Sequence, residues 1–255
     1  MSATHPPLSA VLITRNAASQ LVACLDSLSF CTEILVVDSG SSDATLTIAR
    51  DRGARVVEAE WRGFGAQKDY AVGQASHDWV LCIDADERVS GELRAAILEV
   101  LRQPHHGAYR FPRRNRFLGR YLRHGEGYPD WSLRLFDRRR ARWSDDPVHE
   151  KVLAACSVGS IKGDLLHDSA ETLHRYLEKQ NRYTTLAAEQ AQLAGRRAHL
   201  GHLLLSPLAR FVKFYLLRLG FLDGLPGLVH ILIGCGNSCV KYAKMLDLQQ
   251  RAKQP

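Results

Sequence analysis

The chain has 255 residues, enough to bury one full α/β core, and its 45% hydrophobic and 24% charged residues are ordinary for a globular protein. A net charge of +7 favours anionic partners, whether phosphates, acidic membranes or nucleic acid, but is too modest to choose among them. No basic segment leads into an apolar run near Met1, so no signal peptide is expected. The apolar stretches near 203–222 and 225–235 are broken by Pro207, Arg210, Lys213, Arg218 and Asp223, so no membrane span is expected either.

In chain order, Leu8 to Thr14 reads as a buried strand and Ala18 to Leu28 as a helix. Glu33 to Val37 is a second strand, followed by Asp38-Ser39-Gly40-Ser41-Ser42-Asp43, which is turn chemistry leading into a helix cap. That helix stops at Gly53, Arg55 to Val57 is a short strand, and a helix is expected over about 66–75. Trp79 to Ile83 is a further strand, running into Asp84-Ala85-Asp86, and Ser90 caps a helix to about Arg102. Unbroken apolar strands alternating with helices imply a parallel sheet covered on both faces, with ligands at the carboxyl ends of its strands. Thr14-Arg15-Asn16, Asp38 and the acidic triplet all fall at such ends. No glycine-rich dinucleotide or P-loop fingerprint is present.

From 108 to 152 arginine is dense: Arg110, Arg113, Arg114, Arg116, Arg120, Arg123, Arg134, Arg138, Arg139, Arg140 and Arg142. A helical pattern returns over 173–193, and Leu203 to Leu248 is apolar with periodic basic residues. The six cysteines, at 24, 31, 82, 156, 235 and 239, form no C-x-x-C pair and no zinc spacing, which points to a reduced, cytoplasmic setting. A D-x-D at a strand end suits a hard cation, since extended backbone puts alternate side chains on one side and carboxylates are the preferred ligands of Mg²⁺ or Mn²⁺. The bare motif is more often a solvated loop, and its place directly after Trp79 to Ile83 is what favours the metal. Arg15 and Lys68 are equally surface charges, and Asp38 and Asp43 equally caps of a turn and a helix.

Four blocks in order, L-S-A-V-L-I-T-R-N, I-L-V-V-D-S-G-S-S-D-A-T, G-F-G-A-Q-K-D-Y-A and W-V-L-C-I-D-A-D-E, resemble the family 2 glycosyltransferases of GT-A fold. The resemblance implies an α/β, Rossmann-like, mostly parallel sheet over 1–200, with a nucleotide-sugar half at 8–105 and an acceptor half at 106–170. An amphipathic helical tail at 201–255 follows. It assigns Thr14, Arg15, Asp38 and Asp43 to the nucleotide, Lys68 to the diphosphate, Asp84 to the ribose and Asp86 to the metal, Mg²⁺ or Mn²⁺. Asp69 stands where many members have Asn.

The segment Glu126-Gly127-Tyr128-Pro129-Asp130 resembles the region where an E-D pair precedes a helix and supplies the base, here Asp130, although Pro129 replaces the usual acid. Glu150 and Glu126 are rival bases. Val148-His149-Glu150 resembles a late V-H-E segment in which His149 completes the metal or diphosphate site. A base with no second nucleophile implies direct, inverting displacement. Among family members the chain is most similar to those that add glucose, from UDP-glucose, to the inner core of lipopolysaccharide.

Those enzymes act at the inner face of the cytoplasmic membrane on a lipid-linked anionic saccharide. The arginine belt would bind such an acceptor, and the tail would lie on the membrane surface with Arg210, Lys213 and Arg218 on anionic headgroups. Its alternative is packing on the catalytic domain. Rival functions are transfer to a polyprenyl phosphate or another acceptor, and a non-catalytic membrane- or RNA-binding protein on a degenerate transferase fold. No nucleic-acid partner is expected, because the arginines lack aromatic interleaving.

Overall fold

The computed structural model describes residues 5–146, 150–169 and 172–252. They form two compact units, residues 1–113 with 130–169 and residues 114–129 with 170–255. Helix 173–193 thus groups with the C-terminal helices.

The first unit is α/β. Strand β1 (Leu8–Thr14) leads to helix α1 (Ala18–Ser27), β2 (Glu33–Asp38), α2 (Thr45–Asp51), β3 (Arg55–Glu58), α3 (Phe64–Gln74) and β4 (Trp79–Cys82). Then come β5 (Glu87–Val89), α4 (Gly91–Arg102), β6 (Ala108–Phe117), whose last residues and the short β7 (Arg120–Tyr121) belong to the second unit, then β8 (Asp130–Asp137), β9 (Ala141–Trp143), β10 (Val152–Ala154), β11 (Val158–Ser160) and β12 (Leu165–His167). The sheet order is β3-β2-β1-β4-β8-β6-β12-β5. The first four are parallel, as expected, and β8 enters antiparallel to both β4 and β6.

Both faces of the parallel half are covered, which is why its strands read as continuous apolar runs. Leu8, Ala10 and Leu12 of β1 pack with Leu21 and Leu25 of α1 and Ile97 of α4. Val11, on the opposite face, joins Leu35, Val37 and Val80 against Ala71 and Val72 of α3. Ser90 caps α4 as predicted, its Oγ accepting the Leu93 N–H at 3.2 Å.

Glu33 ties the base of the sheet. Its carboxylate accepts from the Ser9 and Ser76 hydroxyls, the Ser76 N–H and the Arg55 guanidinium. Partial burial pushes its pKa up, but these donors outweigh it and hold it at about 2. A depressed carboxylate contributes stability above its unfolded pKa and loses it as pH falls through the folded one. Glu33→Gln is therefore expected to lower Tm at pH 7, and thermal melts from pH 7 to 2 should show the gap closing below about pH 4.

In the second unit, α5 (Leu173–Leu193) and α6 (Leu200–Phe211) pack along α7 (Gly224–Arg251). Lys244 of α7 donates to the Asn181 carbonyl and to the Thr184 and Thr185 hydroxyls of α5. Buried Asp223, just before α7, accepts the N–H groups of Arg123 and His124. Helix α6 runs on as a π-helical turn over Val212–Leu217, so 200–217 is one continuous helix despite Pro207, Arg210 and Lys213. By length and composition those 18 residues, of mean hydropathy 1.2, are enough to cross a membrane, which the sequence reading had discounted. None of them is buried, and Leu200, Leu204, Leu208, Val212 and Leu216 are exposed at every fourth position.

Candidate active site

Thr14 and Asp38 lie in register at the carboxyl ends of β1 and β2. Asp38 is fully buried, and its carboxylate accepts the Thr14 hydroxyl at 2.8 Å, the Gly40 N–H at 3.0 Å and the Ser41 N–H at 2.7 Å. These bonds shape the turn after β2, where Gly40 takes φ +85°, a conformation only glycine adopts freely. Asp43 accepts the Ala18 N–H at 3.1 Å and the Thr45 N–H at 3.0 Å, so it joins the starts of α1 and α2, and its Thr45 contacts hold its carboxyl below the usual range. Arg15 beside them is exposed.

A charged cluster sits at the end of β4. Lys68, almost enclosed on α3, reaches Asp84 and Glu150 at 3.1 Å each, with its ammonium 4.7 Å from the Trp143 ring centre. Asp84 also pairs with Arg134 at 2.8 Å, and Arg134 with fully buried Glu87 at 3.2 Å. Burial would raise the Asp84 pKa, but Arg134 and Lys68 hold it well below the usual carboxylate range. Burial likewise opposes the Arg134 charge, and Asp84 and Glu87 more than restore it. Removing one partner from such a network strands a buried charge, so it is fixed as a unit.

Around this cluster opens a cavity of about 380 Å³, within the range of small-molecule sites. Lys68, Asp84, Arg113, Trp131, Arg134 and Glu150 are among its walls. The start of α3 is pressed against the loop after β9: a Cβ on Gly65 would come within 2.0 Å of the Ser144 carbonyl oxygen. Asp69 accepts the Trp143 N–H at 3.0 Å, tying the same helix to β9, so it serves the packing that holds Lys68 in place.

The acidic triplet does not follow strand alternation. Beyond Cys82 the chain turns, with the Glu87 N–H donating to the Asp84 carbonyl at 2.9 Å, and the two carboxylates diverge. Asp84 faces the cluster, while Asp86 meets Nε2 of His167 at 3.2 Å. Asp86 borders a smaller hollow of about 140 Å³ with Gln20, Arg88 and Asp168. Among the described residues no group of three or more His, Cys, Asp and Glu is arranged for a metal ion. The Asp86 carboxylate nevertheless suits one, since Mg²⁺ is commonly held by one or two carboxylates with phosphate and water completing its shell, and carboxylates suit Mn²⁺ as well.

The three expected bases are separated. Asp130 opens strand β8 rather than preceding a helix, and its Oδ2 is gripped by Arg113 at 2.7 and 2.9 Å. Glu126 lies in the other unit, ion-paired with Arg210. Glu150 lines the cavity. His149, the other expected metal ligand, lies outside the described residues.

Several arginines of the belt have partners within the fold. Arg113 and Arg134 neutralise buried carboxylates, Arg138 donates to the carbonyls of Val72 and Ala75, Arg139 pairs with Asp137, and Arg120 donates to the Leu222 carbonyl. Sequence reasoning did not single out Glu87, Arg134, Trp143 or His167. Glu87 was the most accessible of these, being the acid directly after the triplet.

Residues 9–158 match the model of the family described as glycosyl transferase family 2. The lipopolysaccharide core biosynthesis glycosyltransferase LpsC of Rhizobium meliloti is 32% identical, over 98% of this chain and 95% of its own length. Among solved structures, S. aureus TarS 1–349 in complex with UDP is 15% identical with a TM-score of 0.49, over 97% of this chain and 92% of that one. Glucosyl-3-phosphoglycerate synthase of Mycobacterium tuberculosis, with Mn²⁺, UDP and glucosyl-3-phosphoglycerate, is 26% identical with a TM-score of 0.37, and the match spans 44% of each chain. The family match takes in β1 to β4, the Lys68 cluster, the acidic triplet and Glu150, and the LpsC likeness runs on through the C-terminal helices. By both measures this chain belongs to glycosyl transferase family 2.

Proposed function

We propose that this chain is an inverting, metal-dependent hexosyltransferase that moves glucose from UDP-glucose to an anionic, lipid-linked lipopolysaccharide-core saccharide. The observation that carries the reading is the cavity at the end of β4, where Lys68, Asp84, Arg134 and Glu150 converge. Its near-full-length likeness to LpsC supports the acceptor class.

Lys68 would bind the diphosphate of the donor, exchanging the contacts it makes with Asp84 and Glu150. Arg134 would keep Asp84 ionised as an acceptor for the ribose hydroxyls, on the strand-end side where Thr14, Arg15, Asp38 and Asp43 shape the nucleotide pocket. Asp86 would hold the divalent cation, with His167 beside it, and the cation would supply positive charge to the departing diphosphate. Glu150 would take the proton of the acceptor hydroxyl as its oxygen bonds to the anomeric carbon and the bond to the diphosphate oxygen breaks. Asp130, held by Arg113, is the second candidate for that proton. One displacement inverts the configuration.

The exposed leucine stripe of α6, with the exposed Lys213 and Arg218 along the same stretch, supports attachment to the inner face of the cytoplasmic membrane, although Arg210 is taken up by Glu126. The test is a thermal-shift screen of nucleotide sugars with Mn²⁺ or Mg²⁺, followed by turnover on truncated lipopolysaccharide. UDP-glucose is expected to stabilise the protein, and NMR of the product should show a β-linked glucose. An α-linkage would refute direct displacement, and no stabilisation by any nucleotide sugar would refute the donor reading.

A further inference from the structure

Several arginines of the belt are tied to carboxylates or carbonyls, whereas two cations, Lys151 in the cavity wall and Arg110 against the Trp131 ring, have no carboxylate partner among the described residues. Lys151 lines the cavity, is exposed, and has no carboxylate partner among the described residues. Arg110, on β6, is exposed as well. Its Nε donates to the Ser160 hydroxyl at 3.0 Å, and it too has no carboxylate partner among the described residues. Its guanidinium lies 5.0 Å from the ring centre of Trp131, where the negative face of the indole attracts it. Trp131 is itself a wall of the cavity and is 46% exposed. A tryptophan left half in water in the wall of a polar cavity, with one cation against its ring and another in the same wall, is built for a ligand that is apolar on one face and anionic at one edge.

A sugar acid or sugar phosphate has that form. One face of its ring carries C–H bonds that stack on an indole, and its carboxylate or phosphate accepts from lysine and arginine. We propose that Trp131, with Arg110 against its ring and Lys151 in the same cavity wall, is the subsite for an acidic sugar ring of the acceptor. The inference rests on reading this cavity as the transferase site. Trp131 adjoins Asp130 and shares the cavity with Glu150, so it stands with both candidate bases, which must reach the acceptor rather than the nucleotide.

The test separates saccharide binding from catalysis. Delipidated lipopolysaccharide-core oligosaccharide is titrated calorimetrically into the full-length protein, alongside its carboxyl-reduced and its dephosphorylated forms. Trp131→Ala and Lys151→Gln are each expected to weaken binding of the native saccharide about tenfold, equivalent to about 1.4 kcal/mol. Trp131→Phe should restore most of the loss, and the stabilisation by UDP with Mn²⁺ should stay at the wild-type value in all three. One of the two neutralised saccharides should bind more weakly to wild type but equally to wild type and Lys151→Gln, which identifies the anion as carboxylate or phosphate.

Wild-type affinity in both Trp131→Ala and Lys151→Gln would overturn the proposal. So would equal binding of all three saccharides, or loss of UDP stabilisation together with saccharide binding. Failure of the transferase reading shows separately, as absence of turnover of any nucleotide sugar by a wild-type protein that still binds the saccharide through Trp131.

Discussion

Glu150→Gln is expected to lower kcat by about 10²–10⁴-fold, the usual contribution of a general base, with little change in affinity for UDP. Geometry comes before pKa in choosing a base, and Glu150 lines the 380 Å³ cavity with one oxygen held by Lys68 at 3.1 Å. Arrival of a diphosphate would draw Lys68 away and leave that carboxylate free to accept a proton. Asp130 is placed otherwise, with two guanidinium nitrogens of Arg113 on one of its oxygens. Asp130→Asn should therefore cost less than about tenfold in kcat, by loosening Arg113 rather than by removing the base. Glutamine keeps an oxygen for Lys68, so the Glu150 variant should fold normally and still be stabilised by UDP. Steady-state kinetics of both variants decide the matter: a loss of 10²-fold or more in Asp130→Asn with near-normal activity in Glu150→Gln would give the role to Asp130.

The parallel half of the fold was legible because physics writes it plainly. Strands buried on both faces leave uninterrupted apolar runs, such as those of β1 and β4, and the turns between them carry Gly, Ser and Asp. The second half was not legible as strands. In β6, Ala-Tyr-Arg-Phe-Pro-Arg-Arg-Asn-Arg-Phe, arginines and a proline interrupt the alternation, and Arg113, in register with Asp130, turns its guanidinium to Asp130 and Glu87. In β8, Arg134 is buried among carboxylates, so a residue that normally marks a surface marks the interior instead.

The same holds for the site. Asp38 and Asp84 follow from being polar residues at strand ends, while Lys68 follows only from the family resemblance of its block. Glu87 and Arg134 come together only through the long return of β8 next to β4, a pairing between distant segments that no local pattern announces. The divergence of Asp84 and Asp86 depends on where β4 stops. Strand alternation would have carried both carboxylates to one side, and the turn after Cys82 sends them apart.

That divergence leads to the second large effect. Asp86→Ala and His167→Ala are each expected to abolish the Mn²⁺-dependent increment in UDP affinity, with a fall in kcat of about 10²-fold or more. Treating wild type with EDTA should remove the same increment, so that variants and metal-free wild type bind UDP alike. The two residues come from β12 and from the turn after β4, and their close approach is held by pairing of Leu165–His167 with Glu87–Val89 and by the Asp168 N–H on the Asp86 carbonyl at 3.0 Å. Truncating either side chain leaves those backbone bonds intact, so melting temperatures without UDP should change little, and a loss of metal response would not be a loss of fold. His149→Ala supplies the comparison, since it is the ligand that the V-H-E segment suggests. If His149→Ala removes the increment while His167→Ala keeps it, the cation is held between Asp86 and His149. The contact between Asp86 and His167 would then be a hydrogen bond that orients the carboxylate.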